Sequence, residues 1–208
     1  MCFSATASFT AGVVLSSTGV VVLTKVKNKK EIPLALIPLL FGIQQLIEGF
    51  VWLSLGWNNP TLNSVMSHAF FWFSNIWWPL FIPLAVLCIE TVLWRRKLIS
   101  FFEFLGVIVA GFFFSFFLDS SIVGAVKNHC IVYTYPTAHF APIVILYVIA
   151  TCGSLLASSK KTINLLGVLV LAFFFIAYAF YTEALVSVWC FFAAILSLVI
   201  YVYFDRRR

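Results

Sequence analysis

The sequence predicts an all-α integral membrane protein, a bundle of seven transmembrane helices with the N-terminus outside and the C-terminus in the cytoplasm. Three observations predict it. Of 208 residues, 63% are hydrophobic and only 10% charged, with a mean hydropathy of +1.08, which is far from the make-up of a soluble domain. Seven apolar runs approach the ~20 residues that a helix needs to cross about 30 Å of hydrocarbon. The thirteen Lys and Arg fall in a few of the gaps between those runs. The alternating pattern of an outer-membrane barrel is absent, so helices, which satisfy their own backbone groups, are the expected spanning element.

The first run, roughly 9–24, has its charge after it ("TKVKNKK") and not before, so it reads as a retained span and not a signal peptide. The second, 33–56, and the third, 67–91, are separated by a polar turn, and Trp52, Trp57, Trp72, Trp77 and Trp78 cluster toward their outer ends, mostly as interface anchors. The fourth, 98–118, follows "WRRK", and Trp94 marks that inner boundary. The connection from Asp119 to Ala138 is the longest, and the fifth span, 139–157, begins after it. Residues 162–203 are about twice one crossing, and "YTEA" divides them into 162–180 and 184–203. With this division every basic cluster shares one side: Lys25, Lys27, Lys29 and Lys30; Arg95, Arg96 and Lys97; Lys160 and Lys161; Arg206, Arg207 and Arg208. Lys127 alone falls opposite. The positive side is the cytoplasm. The net charge of +6 is thus a topology signal with some attraction to lipid headgroups, and nucleic acid is not an expected partner. No linker or repeat divides residues 1–208, which read as a single domain.

Orientation gives each intramembrane polar residue a depth. Glu48 lies about 12 Å below the outer end of the second span, with Gln44 one turn deeper on the same face and Gln45 beside it. An ionised carboxyl there costs roughly 2.5–3.5 kcal/mol, so Glu48 is expected to face the bundle interior, protonated or partnered. His68 and Asn75 share a face of the third span, His139 opens the fifth, and Asp119, Glu183 and His129 lie outside. Glu90 and Glu103 lie near the cytoplasmic boundary, within reach of Arg95, Arg96 or Lys97. This convergence predicts an outward-facing polar pocket with Gln44, Gln45 and Glu48 as its floor. The plainer alternatives are interhelical hydrogen bonds for the glutamines and capping roles for the histidines. Of five cysteines, Cys2 and Cys130 are exterior and either pair or remain free thiols, while Cys88, Cys152 and Cys190 lie within spans.

"MCFSATASF" (1–9), "IPLLFGIQQLIEGFVW" (37–52) and "WWPLFIPLA" (77–85) resemble an uncharacterised family of bacterial polytopic membrane proteins that open with MCFSA-x-ASF and carry QQ-x-x-EG in the second span. The resemblance implies a bacterial cytoplasmic (inner) membrane location. It also implies that Cys2, Phe3, Ser4, Ser8, Gln44, Gln45, Glu48 and Gly49 belong to one pattern, which adds Cys2 and Ser4 to the candidate pocket. A free N-terminal Cys2 would offer an amine and a thiol on one residue.

Two functions compete. One is binding or transport of a small polar or amphipathic ligand from the exterior, with Glu48 as proton acceptor or countercharge. The other is an intramembrane metal-dependent hydrolase acting on lipid or another membrane-associated substrate, with zinc on His68, His139 and Glu48; no histidine has a second one at i±4. Haem between His68 and His139 ranks below zinc. Retinal is excluded because no span contains the Lys its Schiff base needs. Membrane lipids are the expected partners. A Ser4, His68 or His139, Asp119 triad is singled out by nothing in the spacing.

Overall fold

The structure, a computed structural model, describes residues 4–134 and 141–206. Its helices are α1 (Ala5–Thr24), α2 (Ile32–Gly56), α3 (Pro60–Phe71), α4 (Trp78–Ile89), α5 (Leu93–Asp119), α6 (Ala141–Ala157), α7 (Lys161–Phe180), α8 (Leu185–Leu196) and α9 (Val199–Asp205). Six stretches among the described residues are long and apolar enough to cross a membrane: Ala5–Thr24, Lys29–Gly56, Pro60–Ile89, Leu93–Leu118, Lys161–Phe180 and Thr182–Asp205. The apolar α6 has 17 residues. The chain is a mostly helical, multi-pass type of protein.

Local chemistry moves several ends beyond the apolar runs. Ser4 is extended and its Oγ accepts the Ala7 N–H, so α1 starts four residues before the expected span. Asn58 takes a positive φ of 49°, Asn59 caps the Leu62 N–H and Pro60 opens α3, so the third helix begins at Pro60 despite its polar first turns. Between α3 and α4 the helix widens into a π-helical turn at Trp72–Trp77, where the Trp78 N–H reaches back five residues to the Phe73 carbonyl. The next residue is Pro79, which has no N–H to continue that register. The Ser74 carbonyl it leaves is taken by the Tyr147 hydroxyl of α6 at 2.7 Å.

The all-α expectation requires a correction. The long connection folds into a hairpin of β1 (Val123–Lys127) and β2 (Cys130–Thr134), with Val123 opposite Thr134 and Lys127 opposite Cys130. Asn128 and His129 form its two-residue turn at φ 49° and 60°, the left-handed pair whose twist matches the strands. The hairpin lies on the bundle end. Gly124 N–H donates to Asn63 Oδ1 (3.0 Å) and Ser67 Oγ (2.9 Å), and its carbonyl accepts Asn63 Nδ2 (3.0 Å). Asn63 thereby acts as a substitute strand partner on α3. Tyr133 stacks on Phe70 with ring centres 4.4 Å apart, and Cys130 and Ile131 are buried.

Small residues let α1 and α2 pack backbone to backbone. Ser8, Gly12 and Ser16 repeat every fourth residue along α1, and a Cβ on Gly42 of α2 would lie 2.6 Å from the Ser16 nitrogen. The two faces of the bundle are tied separately. On one, Lys25 pairs with Asp205, Ser159 N–H donates to Glu90 at 2.7 Å, and Lys29–Glu31 packs on α4. That face gathers the described basic turns. The opposite face carries the hairpin and the Lys127–Glu183 pair at 2.6 Å.

The arginines do not neutralise the carboxylates expected of them. Arg95 donates to the Ala157 and Ser158 carbonyls and Arg96 to those of Leu87 and Glu90, so both close helix C-termini. The Glu90 carboxylate is held by backbone N–H groups instead.

Candidate functional site

One face of α2 carries the polar centre. Gln44, Gln45 and Glu48 are 0% exposed, as is Ser8 on the α1 face that meets α2. Gln44 Oε1 accepts the Trp78 indole N–H at 2.6 Å, and Phe41, one turn earlier, stacks on Trp78 at 3.9 Å. Glu48 Oε1 accepts the Ser187 hydroxyl of α8 at 2.5 Å. Glu48 Oε2, both amide atoms of Gln45, Gln44 Nε2 and Ser8 Oγ have no hydrogen-bond partner among the described residues. Buried polar atoms in that state cost about 1–3 kcal/mol each. The cluster therefore holds unused bonding capacity.

Two thiols border it. Cys190, one turn beyond Ser187, lies within interaction range of Gln44 and Glu48. Cys130 approaches from β2, and burial pushes its thiol up. Below and beside the cluster are two apolar clefts. The deeper, about 490 Å³, includes Phe41, Trp78, Tyr147, Thr151, Trp189 and Cys190 in its lining. The other, about 470 Å³, includes Ser74, Asn75, Tyr147, Phe174, Trp189 and Cys190. They share Tyr147, Trp189 and Cys190, and the Gln44–Trp78 bond adjoins the deeper one.

The residues expected to surround Glu48 are placed elsewhere or only at its margin. His68 turns Nδ1 to the Ser64 carbonyl (2.7 Å) and Nε2 to the Ser120 carbonyl (3.3 Å), which ties α3 to the end of α5. Asn75 donates to Ser74 Oγ at 2.8 Å and lines the second cleft. Ser4 is an exposed helix cap. Cys2 and His139 lie outside the described residues, as does the side chain of Asp119. Cys130 is a free thiol. Among the described residues no three of His, Cys, Asp and Glu are grouped to hold a metal, and both nitrogens of His68 already face carbonyls. Ser187, Trp78, Tyr147 and Cys190 were not singled out by sequence reasoning as site residues. Ser187 and Cys190 share a helix face in an apolar run, and that spacing was the available signal.

A comparison with protein families places this arrangement. Residues 1–208 match a family of unknown function, DUF6629. The chain belongs to that family. No curated protein and no solved structure matches this DUF6629 member, so its chemistry rests on its own residues.

Proposed function

We propose that this DUF6629 member is a protein of the bacterial cytoplasmic membrane, crossing it seven times with the N-terminus outside. We propose further that it binds or transports a small polar or amphipathic ligand reaching it from the hairpin face. One observation carries the reading: two adjoining apolar clefts border a sealed cluster of polar atoms that lack partners. Ligand sites have mostly apolar walls with a few placed polar groups, and the lining of both clefts has that make-up, aromatic and aliphatic side chains with Tyr147, Thr151, Ser74 and Asn75 among them. An amphipathic ligand would seat its apolar body against Trp189, Tyr147 and Phe41. Its polar end would turn toward Gln44, whose Nε2 has no partner among the described residues and whose Oε1 holds Trp78 in the wall of the first cleft. The 17 residues of α6 reach about 26 Å as a helix, close to the ~30 Å core that a seventh crossing has to span.

The test is mass spectrometry of the protein purified in lipid nanodiscs. Wild type is expected to retain a bound small molecule or enriched lipid. Ala193→Trp fills the deeper cleft, whose wall Ala193 forms, and is expected to lose that occupant while keeping its helicity. Undiminished occupancy in Ala193→Trp, or a wild type that carries nothing above bulk lipid, would sink the reading.

A further inference from the structure

The two oxygens of Glu48 differ. Oε1 accepts from Ser187, whereas Oε2 has no partner. One turn earlier on the same face, Gln45 also has neither amide atom paired, and its side chain lies within interaction range of the Glu48 carboxyl. An ionised carboxylate only accepts hydrogen bonds. It can accept from Gln45 Nε2 but would leave Gln45 Oε1 unsatisfied and its charge without an ion-pair partner among the described residues, whose ion pairs are Lys25–Asp205 and Lys127–Glu183. A neutral carboxyl changes both. With a proton on Oε2 that atom becomes a donor, Gln45 Oε1 becomes its acceptor, and the two unpaired oxygens satisfy each other. The atoms are packed without exposed surface, so a proton is the one cation that needs no further space.

A separate cleft on the hairpin face approaches this acid. A cleft of about 590 Å³ lies between β2 and the turn before α8, lined in part by Lys127, Cys130, Tyr181, Glu183 and Ala184. Its floor is thin. Cys130 is 1% exposed and lies within electrostatic reach of Glu48, and Ala184 stands one helical turn before Ser187. The Lys127–Glu183 pair spans the mouth with both side chains more than half exposed. Among the described residues the groups facing Glu48 are Ser187 and the Cys190 thiol from α8 and the Cys130 thiol from β2.

We infer that Glu48 is a proton-binding site, neutral while the hairpin is seated, which exchanges its proton with the hairpin face through the cleft under Cys130 and Ala184. The deprotonation step is simple: the Glu48 O–H bond breaks, the electron pair stays on Oε2 and water entering the cleft takes the proton. This goes beyond ligand occupancy, and its test does not depend on any ligand being present.

Infrared spectroscopy of the full chain in nanodiscs tests it. The difference between wild type and Glu48→Gln at neutral pH is expected to contain the C=O stretch of a protonated carboxyl. Ser187→Ala and Gln45→Leu, which keep the carboxyl, are expected to shift that band, so the assignment survives even if Glu48→Gln folds poorly. In deuterated buffer the band of wild type should move slowly to its deuterated position, and Glu183→Gln, which opens the mouth, should speed that exchange several-fold. Absence of any Glu48-dependent carboxyl band overturns the proton site. An exchange rate equal in wild type and Glu183→Gln overturns the route.

Discussion

Glu90 sits where α4 gives way to α5, and three backbone N–H groups converge on its carboxylate: Thr91 and Val92 at 2.9 Å and Ser159 at 2.7 Å. Burial pushes the carboxyl up, but the hydrogen bonds from Ser159, Val92 and Thr91 outweigh it and hold Glu90 below the usual carboxylate range. The stabilisation is therefore present above the unfolded-state value and is lost as pH falls through the lower, folded one. Glu90→Gln should cost about 1.5–3 kcal/mol near neutral pH, the worth of hydrogen bonds to a charged group. That difference should shrink on acidification until the two proteins melt together. Melting curves across pH check this, and a gap that stays constant into acid would refute it. At this scale the sequence was a partial guide. The burial of Glu48 followed from the cost of a carboxyl in hydrocarbon, but its partner did not, because Ser187 is a small hydroxyl in an apolar run. Trp78 resembled an interface anchor; its indole N–H is spent on Gln44 in the interior.

Gly106 shows how an element is fixed by what it touches. A Cβ there would lie 2.0 Å from the Pro79 carbonyl oxygen, so α5 crosses α4 beside the proline that ends the π-helical turn. Gly106→Ala should separate the two helices and destabilise by about 1–3 kcal/mol. Reversible unfolding in mixed micelles measures it, and a variant as stable as wild type would show that the crossing is loose. Helix existence was legible here because apolar length is a direct consequence of bilayer thickness. Helix starts were less so, since Asn59 and Pro60 act through hydrogen bonds and ring geometry that hydropathy does not see. The hairpin was missed for a further reason. Its strands are only five residues each, and their seat is supplied by Asn63 and Ser67, some sixty residues away.

At the scale of the molecule, the ties from Lys25 to Asp205 and from Glu90 to Ser159 bring the basic turns to one face. The grouping was readable in the sequence because charge placement is what directs insertion. From it comes the expectation that a reporter fused to the C-terminus is active in the cytoplasm and one inserted at Asn128, in the hairpin turn, is active outside. A C-terminal reporter active in the periplasm would reverse the orientation and the direction from which the clefts are reached.

The bond from Ser187 to Glu48 also has a place in time. The two residues are 139 positions apart, so Glu48 is synthesised and inserted long before its partner leaves the ribosome. In that interval its carboxyl must be shielded by α1, by water or by a proton, and α1 is already suited to the task through its close approach to α2. Arrival of α8 then closes the polar centre from the far end of the sequence.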